Sequence, residues 1–168
     1  PYIIQILSGA RSANPHGISG DAKVAYGDVM TLDFCGYFNF YWSDYCRTMF
    51  IGEVDAEFRT VYNIVLEAHL AAIDAARPGV RASDVDRAAR DVITAAGYGE
   101  QFLHRTGHGL GLNVHEGPYI HAHNHDTILE EGMVFTIEPG IYLQGRGGVR
   151  IEDDICLTAN GNRILNTY

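Results

Sequence analysis

Two pairs of apolar, β-prone runs are each interrupted by acidic residues, and this pattern constrains the fold more than any other feature of the sequence. Residues 29–34 (VMTLDF) and 45–51 (YCRTMFI) form the first pair and flank an aromatic, turn-capable segment around Asn39. Asp33 lies inside the first run, and Asp44 directly precedes the second. Apolar runs separated by a short turn segment predict an antiparallel β-hairpin.

The predicted hairpin brings two carboxylates together. With the turn centred between Phe38 and Asn39, Asp33 lies opposite Asp44 on the same face. Facing β-carbons lie about 4.5–5.5 Å apart, and like charges directly opposite one another are destabilising. A cation bound between the two carboxylates would remove that repulsion. In another register both side chains would face solvent, and the pattern alone leaves this alternative open.

A second strand pair repeats the arrangement. The apolar run of residues 133–137 is followed directly by Glu138, and the run of residues 148–155 contains Glu152. The Gly-rich connector is typical of a hairpin turn, and centring it on Gly145 puts Glu138 opposite Glu152. Burying unpaired carboxylates is very costly, so two hairpins that each present facing acids predict a shared cation site.

Residues 104–118 (HRTGHGLGLNVHEGP) carry three of the eight histidines among four glycines. Glycines let backbone and side chains approach a common point, and imidazole is the commonest metal ligand and acid–base group near neutral pH. We therefore expect His108 to join the four acids. Arg150, two residues before Glu152 on the same face, is expected to reach the same site.

The resulting ligand set is rich in oxygen, which favours Mn²⁺, Co²⁺, Fe²⁺ or Zn²⁺ in a dinuclear site over a tetrahedral structural zinc. In hydrolytic two-metal sites the ions lie about 3.5–4 Å apart; they lower the pKa of a bridging water and polarise the carbonyl that it attacks. The predicted ligands are Asp33, Asp44, His108, Glu138 and Glu152.

Two helices are predicted between the strand pairs. Residues 55–76 place apolar side chains in one 3-4-3 stripe that includes His69, read as a histidine at the core edge. Residues 84–96 form a second helix, with Ser83 as N-cap and Gly97 as C-terminal stop.

The ends of the chain and one internal segment complete the prediction. Residues 1–7 are expected to form a strand that enters a loop carrying His16, and the closing strand is expected to end near Leu165. Residues 121–126 (HAHNHD) are predicted as a loop, since Asn and Asp favour turns. This segment contains His121, His123 and His125. If it were a strand instead, the three histidines would lie on one face, where they could chelate a metal ion.

Composition excludes several classes of partner. The 168 residues are 46% apolar and 20% charged, as expected for one domain spanning residues 1–168. A formal charge of −9 without a basic cluster argues against nucleic acid. No run is long enough for a transmembrane helix, and no signal peptide opens the chain. The three cysteines form no CxxC pair, which favours free thiols in a reducing cytosol.

Six ordered motifs between Ser8 and Leu165 resemble the pita-bread metallopeptidases. The closest resemblance is to the proline-specific branch, the Xaa-Pro dipeptidases (prolidases) and aminopeptidase P. The motifs are Ser8-Gly9…Pro15-His16-Gly17, the Asp33/Asp44 pair, His104-Arg105-Thr106-Gly107-His108-Gly109, Val114-His115-Glu116, Thr136-Ile137-Glu138-Pro139-Gly140 and Gly148-Val149-Arg150-Ile151-Glu152-Asp153.

The resemblance implies an α+β pita-bread fold, a curved antiparallel sheet with helices on its outer face. It also implies a catalytic domain that lacks the N-terminal part present in the family, and the first residue, Pro1, agrees with a partial chain. Cys46 stands where the family usually has threonine, and residues 121–125 match none of the motifs.

Roles for individual residues follow from the resemblance alone. Asp44 and Glu152 would bridge the two metal ions, and Glu138 would also shuttle a proton. His115 would contact the scissile amide, and His104 is counted with it among the catalytic residues. The residues implied to bind the substrate are His16, Tyr142 and Arg150.

The implied activity is hydrolysis of the bond between an N-terminal residue and proline by a metal-bridging hydroxide. The expected cofactors are two divalent ions, Mn²⁺ first, with Co²⁺, Zn²⁺ or Fe²⁺ as alternatives. The expected partners are a proline-containing di- or oligopeptide and a second copy of the chain in a homodimer, without nucleic acid or membrane, in the cytoplasm. Methionine aminopeptidase and a non-catalytic peptide-binding module are the alternatives; Arg150 and the HRTGHG sequence favour the proline branch.

Overall fold

The predicted succession of strand pair, helices and second strand pair is present in the computed structural model, which describes residues 2–166. Pro1, assigned to the first predicted strand, lies outside the described residues. The strands are β1 (Tyr2–Ser8), β2 (Val29–Phe38), β3 (Tyr41–Ser43), β4 (Cys46–Phe50), β5 (Gly107–Gly109), β6 (Glu116–Ile120), β7 (Val134–Ile137), β8 (Gly140–Leu143), β9 (Gly147–Arg150), β10 (Asp153–Thr158) and β11 (Gly161–Ile164). The α-helices are α1 (Ala56–Ala75) and α2 (Ala82–Ala95).

The first sheet is antiparallel and contains β1, β2, β3 and β4. The predicted hairpin is present, but its predicted centre is wrong. Phe38 pairs with Tyr41, so the turn residues are Asn39 and Phe40, both with positive φ (48° and 72°). Positive φ at both central positions is the requirement of a two-residue type I′ turn. The turn therefore centres one residue later along the chain than predicted.

This turn changes which residue faces Asp33. Asp33 pairs with Cys46, not with Asp44 as predicted. Side chains alternate between faces with a period of two, and the pairing differs from the predicted one by two positions. Asp33 and Asp44 consequently still project from the same face of the sheet.

The second strand pair has the predicted register. Ile141 pairs with Val149 around a turn that contains Gly145 at φ +74°. Further from the turn, where β7 pairs with β10, Ile137 pairs with Asp153. Glu138 and Glu152 lie between these two sets of pairs, in the register that centring the turn on Gly145 predicts.

The first ribbon consists of β2 with β3 and β4, and the second consists of β7 and β8 paired with β10 and β9. The two ribbons join at the acidic residues themselves. The Glu152 amide donates to the Cys46 carbonyl (3.0 Å), and the two residues form a β-bridge between the sheets. Beside it, the Arg150 amide donates to Thr48 Oγ1 (3.0 Å). The backbone of β4 is thus fixed against the segment that carries Arg150 and Glu152.

The helices pack on the second sheet, whose strand order is β11-β10-β7-β5-β6. Val61 and Val65 of α1 and Ile93 of α2 are buried in one cluster with Phe135 and Ile155 of that sheet. Burial of such side chains is the main favourable contribution to folding. The α+β architecture predicted for the chain is confirmed.

The two helices begin differently. Asp55 caps α1 by accepting a hydrogen bond from the Glu57 amide (2.9 Å). The predicted start of α2 is wrong, because the helix begins two residues earlier and its N-cap is Arg81 rather than Ser83. The reason is that loop carbonyls accept from the first helical amides, which a side-chain cap would otherwise satisfy. The bonds are Ala82 N–H to Thr127 O (3.0 Å) and Ser83 N–H to Asn124 O (3.1 Å).

Asp86 connects α2 to the histidine segment. Its carboxylate is fully buried and accepts hydrogen bonds from the amide (3.1 Å) and hydroxyl (2.8 Å) of Thr106. The same carboxylate accepts from Arg90 Nε (2.9 Å). Because Thr106 lies two residues before His108, these bonds fix the start of β5.

We expect Asp86→Ala to lower the free energy of unfolding by about 3 kcal/mol, because it leaves buried donors and a partly buried guanidinium without their acceptor. Denaturant unfolding of the chain measures this loss. The matched control is Asp84→Ala on the same helix, which removes an exposed pair with Arg87 and should cost less than about 0.5 kcal/mol. Equal losses for the two variants would contradict the role assigned to Asp86.

Candidate metal centre

The five predicted ligands line one cavity of about 510 Å³. Asp33 lies on β2, Asp44 directly after β3, His108 on β5, Glu138 directly after β7 and Glu152 between β9 and β10. The two ribbons and β5 therefore converge on one point. Ligand atoms of these residues fall into overlapping groups whose members lie within 4.8 Å of one another; the groups include His108, Glu138 and Glu152.

His108 is oriented toward the acids by its backbone and ring contacts. Its Nδ1 lies 3.1 Å from the Gly109 carbonyl, which can only accept, so Nδ1 carries the proton. Nε2 is then the atom with a free lone pair. It lies 3.4 Å from Glu138 Oε1 and 3.8 Å from Asp44 Oδ2.

The glycines beside His108 are required by close backbone contacts. A β-carbon on Gly107 would lie 1.8 Å from the Thr136 carbonyl oxygen, and one on Gly109 would lie 2.2 Å from that of Gly117. Both distances are far below van der Waals contact. Only glycine lets β5 pass this close to its neighbours with His108 in the cavity.

Burial of the carboxylates shifts their protonation. Desolvation, reinforced by neighbouring carboxylates, raises the pKa of Glu138 to about 8 and that of Asp44 to about 6. The same causes raise the pKa of Glu152, which is 2% exposed, well above its usual value. Burial lowers the pKa of His108 to about 4, so its imidazole is neutral and can act as a ligand.

These residues fit a pair of divalent cations. Arg150 pairs with Asp33. Within residues 2–166, Asp44, Glu138 and Glu152 form no ion pair with a lysine or arginine. Buried carboxylates without a compensating charge are unfavourable, and carboxylate oxygens with one imidazole are suitable ligands for Mn²⁺, Fe²⁺, Co²⁺ or Zn²⁺.

A hydrogen-bonded chain forms one wall of the site. Arg150 Nη1 donates to the Tyr142 hydroxyl (2.9 Å), which lies 2.8 Å from His104 Nε2. His104 Nδ1 lies 2.7 Å from the Arg105 carbonyl, so it carries the proton and Nε2 accepts from Tyr142. Arg150 and His104 line the cavity, whereas Tyr142 is buried behind them.

The other predicted histidines lie toward the opening of the cavity. His115 is exposed, and its ring is perpendicular to that of His108, with centroids 4.1 Å apart. His16 is exposed and also lines the cavity. Partial desolvation of the ring within the cavity, together with the nearby charge of Arg105, lowers the pKa of His115.

Residues 121–126 form the predicted loop, and the three histidines of this loop do not converge on a common point. His121 lines the cavity, whereas His125 Nδ1 lies 3.1 Å from the Ser83 hydroxyl at the start of α2. His69, predicted at the core edge, is buried and its Nε2 lies 3.0 Å from Asp153 Oδ2.

Sequence reasoning missed three buried groups around the site. Asp153 accepts from Arg47 (2.6 Å) beside Glu152, and Asp154 Oδ2 accepts from the Asp44 amide (3.1 Å). The signal for both was the run of acids that interrupts an otherwise apolar strand. Cys35 also lines the cavity, and burial together with the Asp44 charge raises the pKa of its thiol; the correct hairpin register would have placed it there.

None of the helices in the described part of the chain is long and apolar enough to cross a membrane.

Fold and site together define a pita-bread metallopeptidase. Residues 1–159 match the family described as Metallopeptidase family M24, and the chain belongs to that family, whose members bind divalent metal ions. The resemblance stated from the motifs is thereby confirmed.

Relatives named for Xaa-Pro substrates are similar over nearly all of the chain. A Xaa-Pro dipeptidase of Pyrococcus furiosus is 47% identical over 160 residues, 95% of this chain and 46% of its own length. The solved structure of a prolidase from that organism matches with a TM-score of 0.96 at 45% identity, over 98% of this chain and 49% of its own. An X-Pro aminopeptidase from Thermotoga maritima matches with a TM-score of 0.94 at 47% identity, over 98% and 47%.

The chain spans about half the length of the curated relatives it matches. The relatives named above carry Xaa-Pro names, so the comparisons do not favour a methionine aminopeptidase. A binding module that has lost its metals is not favoured either, because all five ligand positions are filled and converge.

We expect metal affinity to rise with pH. In the metal-free protein the pKa of Glu138, about 8, keeps most of this carboxyl protonated at neutral pH, and a cation must displace its proton. Burial and the neighbouring carboxylates also raise the pKa of Glu152. Calorimetric titration of the chelator-treated chain with Mn²⁺ measures this dependence. The affinity should rise by up to ~tenfold per pH unit for each displaced proton, until the pH reaches the pKa of Glu138. Glu138→Gln should reduce this slope. An affinity that stays constant from about pH 6 to about pH 8 would contradict the account.

Proposed function

We propose that residues 1–168 form a single metallopeptidase catalytic domain that hydrolyses the peptide bond between an N-terminal residue and a following proline. The observation that carries the proposal is the convergence of four carboxylates and His108 on one cavity. The choice of proline is supported by the Xaa-Pro names of relatives that are 45–47% identical over nearly the whole chain.

In this proposal Asp33, Asp44, His108, Glu138 and Glu152 would hold two divalent ions, and Asp44 and Glu152 would serve both. Mn²⁺ is our first choice because oxygen ligands predominate, with Co²⁺, Zn²⁺ and Fe²⁺ as alternatives. When bound, such ions supply a nucleophilic water at neutral pH and polarise the carbonyl of the substrate.

Glu138 is the residue we assign to proton transfer. Its carboxylate lines the cavity, with Oε1 3.4 Å from His108 Nε2, and a carboxylate within reach of the attacking water can take up its proton and release it again. The proline nitrogen leaves as a secondary amine and needs a proton. Glu138 can deliver the proton that it takes from the attacking water.

His115 is the residue we assign to stabilising the developing oxyanion. Its lowered pKa leaves the ring neutral, with one N–H available as a hydrogen-bond donor. Its ring contact with His108 and its place in the lining of the cavity support this assignment. Preorganised donors of this kind are worth about 10²–10³ in rate.

The pocket wall orients the substrate in our proposal. His104, assigned with the catalytic residues, is held neutral by burial, which lowers its pKa to about 4. Tyr142 fixes its ring from behind. Arg150 and His16 line the same cavity and are assigned to substrate binding. An Xaa-Pro bond has no N–H and proline has a fixed φ, so these residues have no amide donor of that bond to recognise.

Three further assignments are proposals of the same kind. The substrate is a proline-containing di- or oligopeptide, since the relatives include both a dipeptidase and an aminopeptidase. A cytoplasmic location is supported by three free cysteines, which a reducing compartment keeps as thiols. A homodimer, without nucleic acid or membrane partners, remains our expectation for the assembly.

The direct experiment is an assay of the purified chain on Gly-Pro and on a longer Xaa-Pro peptide, with and without added Mn²⁺. We expect release of the residue before proline only in the presence of metal. Release of methionine from Met-Ala-Xaa peptides, without cleavage of any Xaa-Pro bond, would contradict the proposal.

A matched pair of histidine variants tests the assignment of His115 in the same assay. His115→Ala should lower kcat by about 10²–10³ without reducing bound metal. His123→Ala, in the loop that follows β6 and outside the cavity lining, should leave kcat unchanged. If both variants retain full activity, His115 has no part in the reaction.

A further inference from the structure

The residue that faces Asp44 across the first hairpin is Cys35. The Phe34 amide donates to the Tyr45 carbonyl (2.9 Å), which continues the pairing of β2 with β3 and β4 through this point. In that register the thiol occupies the facing position that the sequence pattern assigned to Asp33. The sequence motifs gave Cys35 no role.

The Cys35 side chain reaches the carboxylates of the metal centre. Its Sγ–H donates to Asp44 Oδ1 at 3.2 Å. Sγ and one carboxylate oxygen each of Asp33 and Asp44 all lie within 4.8 Å of one another. The residue is 8% exposed and lines the same cavity as the five ligands.

This geometry matches that of two ligands on one ion. Zinc–sulfur and zinc–oxygen bonds of about 2.3 Å and about 2.0–2.2 Å put tetrahedral donors roughly 3.5 Å apart, and the observed sulfur–oxygen distance is 3.2 Å. A bound divalent cation deprotonates a coordinating thiol outright. Thiolate is a soft ligand that favours zinc over manganese.

We propose that Cys35 is a sixth protein ligand of the metal centre and binds a thiophilic divalent ion through its thiolate. The inference rests on the proposed metal-dependent function. On binding, the S–H bond breaks, a sulfur–metal bond forms and the proton passes to solvent, without a change of oxidation state. The added sulfur raises the affinity for Zn²⁺ and Co²⁺ relative to Mn²⁺.

Two other cysteines provide internal controls. Cys46 Sγ also lies near Asp33 and Glu152, but it is fully buried, its thiol is directed to the Arg150 carbonyl (3.8 Å), and it does not line the cavity. Cys156 lies on β10, with its thiol directed to the Leu157 carbonyl. The geometry therefore selects Cys35 among the three.

The test is absorption spectroscopy of the full chain, stripped with chelator and loaded with Co²⁺. We expect a sulfur-to-cobalt charge-transfer band in the near ultraviolet that disappears in Cys35→Ala and in Cys35→Ser. The serine variant keeps a hydrogen-bond donor for Asp44. The band should persist in Cys46→Ala and Cys156→Ala. The visible d–d bands of Co²⁺ should persist in all variants, which shows that the site is folded and loaded.

A competition titration measures the consequence for selectivity. Cys35→Ala should lower the Zn²⁺ affinity by at least about tenfold, while the Mn²⁺ affinity changes by less than about twofold. An equal loss for both ions would show that the thiol acts only through packing, and this result would overturn the proposal.

Cobalt-loaded wild-type chain without a charge-transfer band would also overturn it, as would loss of the band in Cys46→Ala alone. The failure of this inference is separable from failure of the proposed function. A chain that cleaves Xaa-Pro bonds but shows no band refutes only the ligand role of Cys35. A chain that shows the Cys35-dependent band but cleaves no Xaa-Pro bond supports the ligand and refutes the substrate.

Discussion

Repulsion among four carboxylates in one cavity is the interaction on which the rest of the structure depends. Arg150 pairs with Asp33, and the remaining acids carry raised pKa values because burial and their neighbours disfavour the charged form. The scaffold keeps these groups in place nonetheless, through the backbone bridge between Cys46 and Glu152. A fold that holds carboxyl groups this close gains from binding cations, because a bound cation stabilises their charged forms.

Much of this arrangement could be predicted from the sequence where local geometry decides it. The glycine-rich turn at Gly145 sets the register of the second ribbon, and the stripe of apolar residues in α1 sets its buried face. The turn of the first ribbon could not be predicted in this way. A type I′ turn puts Phe40 at φ 72°, a conformation that bulky residues rarely adopt, so no pattern rule would have placed the turn there.

Other features depend on contacts between distant segments. The start of α2 is set by the carbonyls of Asn124 and Thr127, some 40 residues further along the chain. A capping rule based on neighbouring side chains cannot predict such distant acceptors. Cys35 lines the cavity of the proposed ligands only because the first hairpin has the observed register rather than the predicted one. In the first case, loop carbonyls accept the hydrogen bonds that the sequence assigned to a Ser83 cap. In the second case, strand pairing brings Cys35 to the position that the sequence assigned to Asp33.

Two ribbons bring four acids into one cavity, and we propose that these acids hold a pair of cations. The most direct measurement is the metal content of the chain after chelation, reloading with Mn²⁺ and desalting, determined by elemental analysis against protein concentration. The account predicts two ions per chain, falling in Glu152→Gln because one of the proposed ligand carboxylates is lost. Less than about one ion per chain in the folded wild type would contradict it.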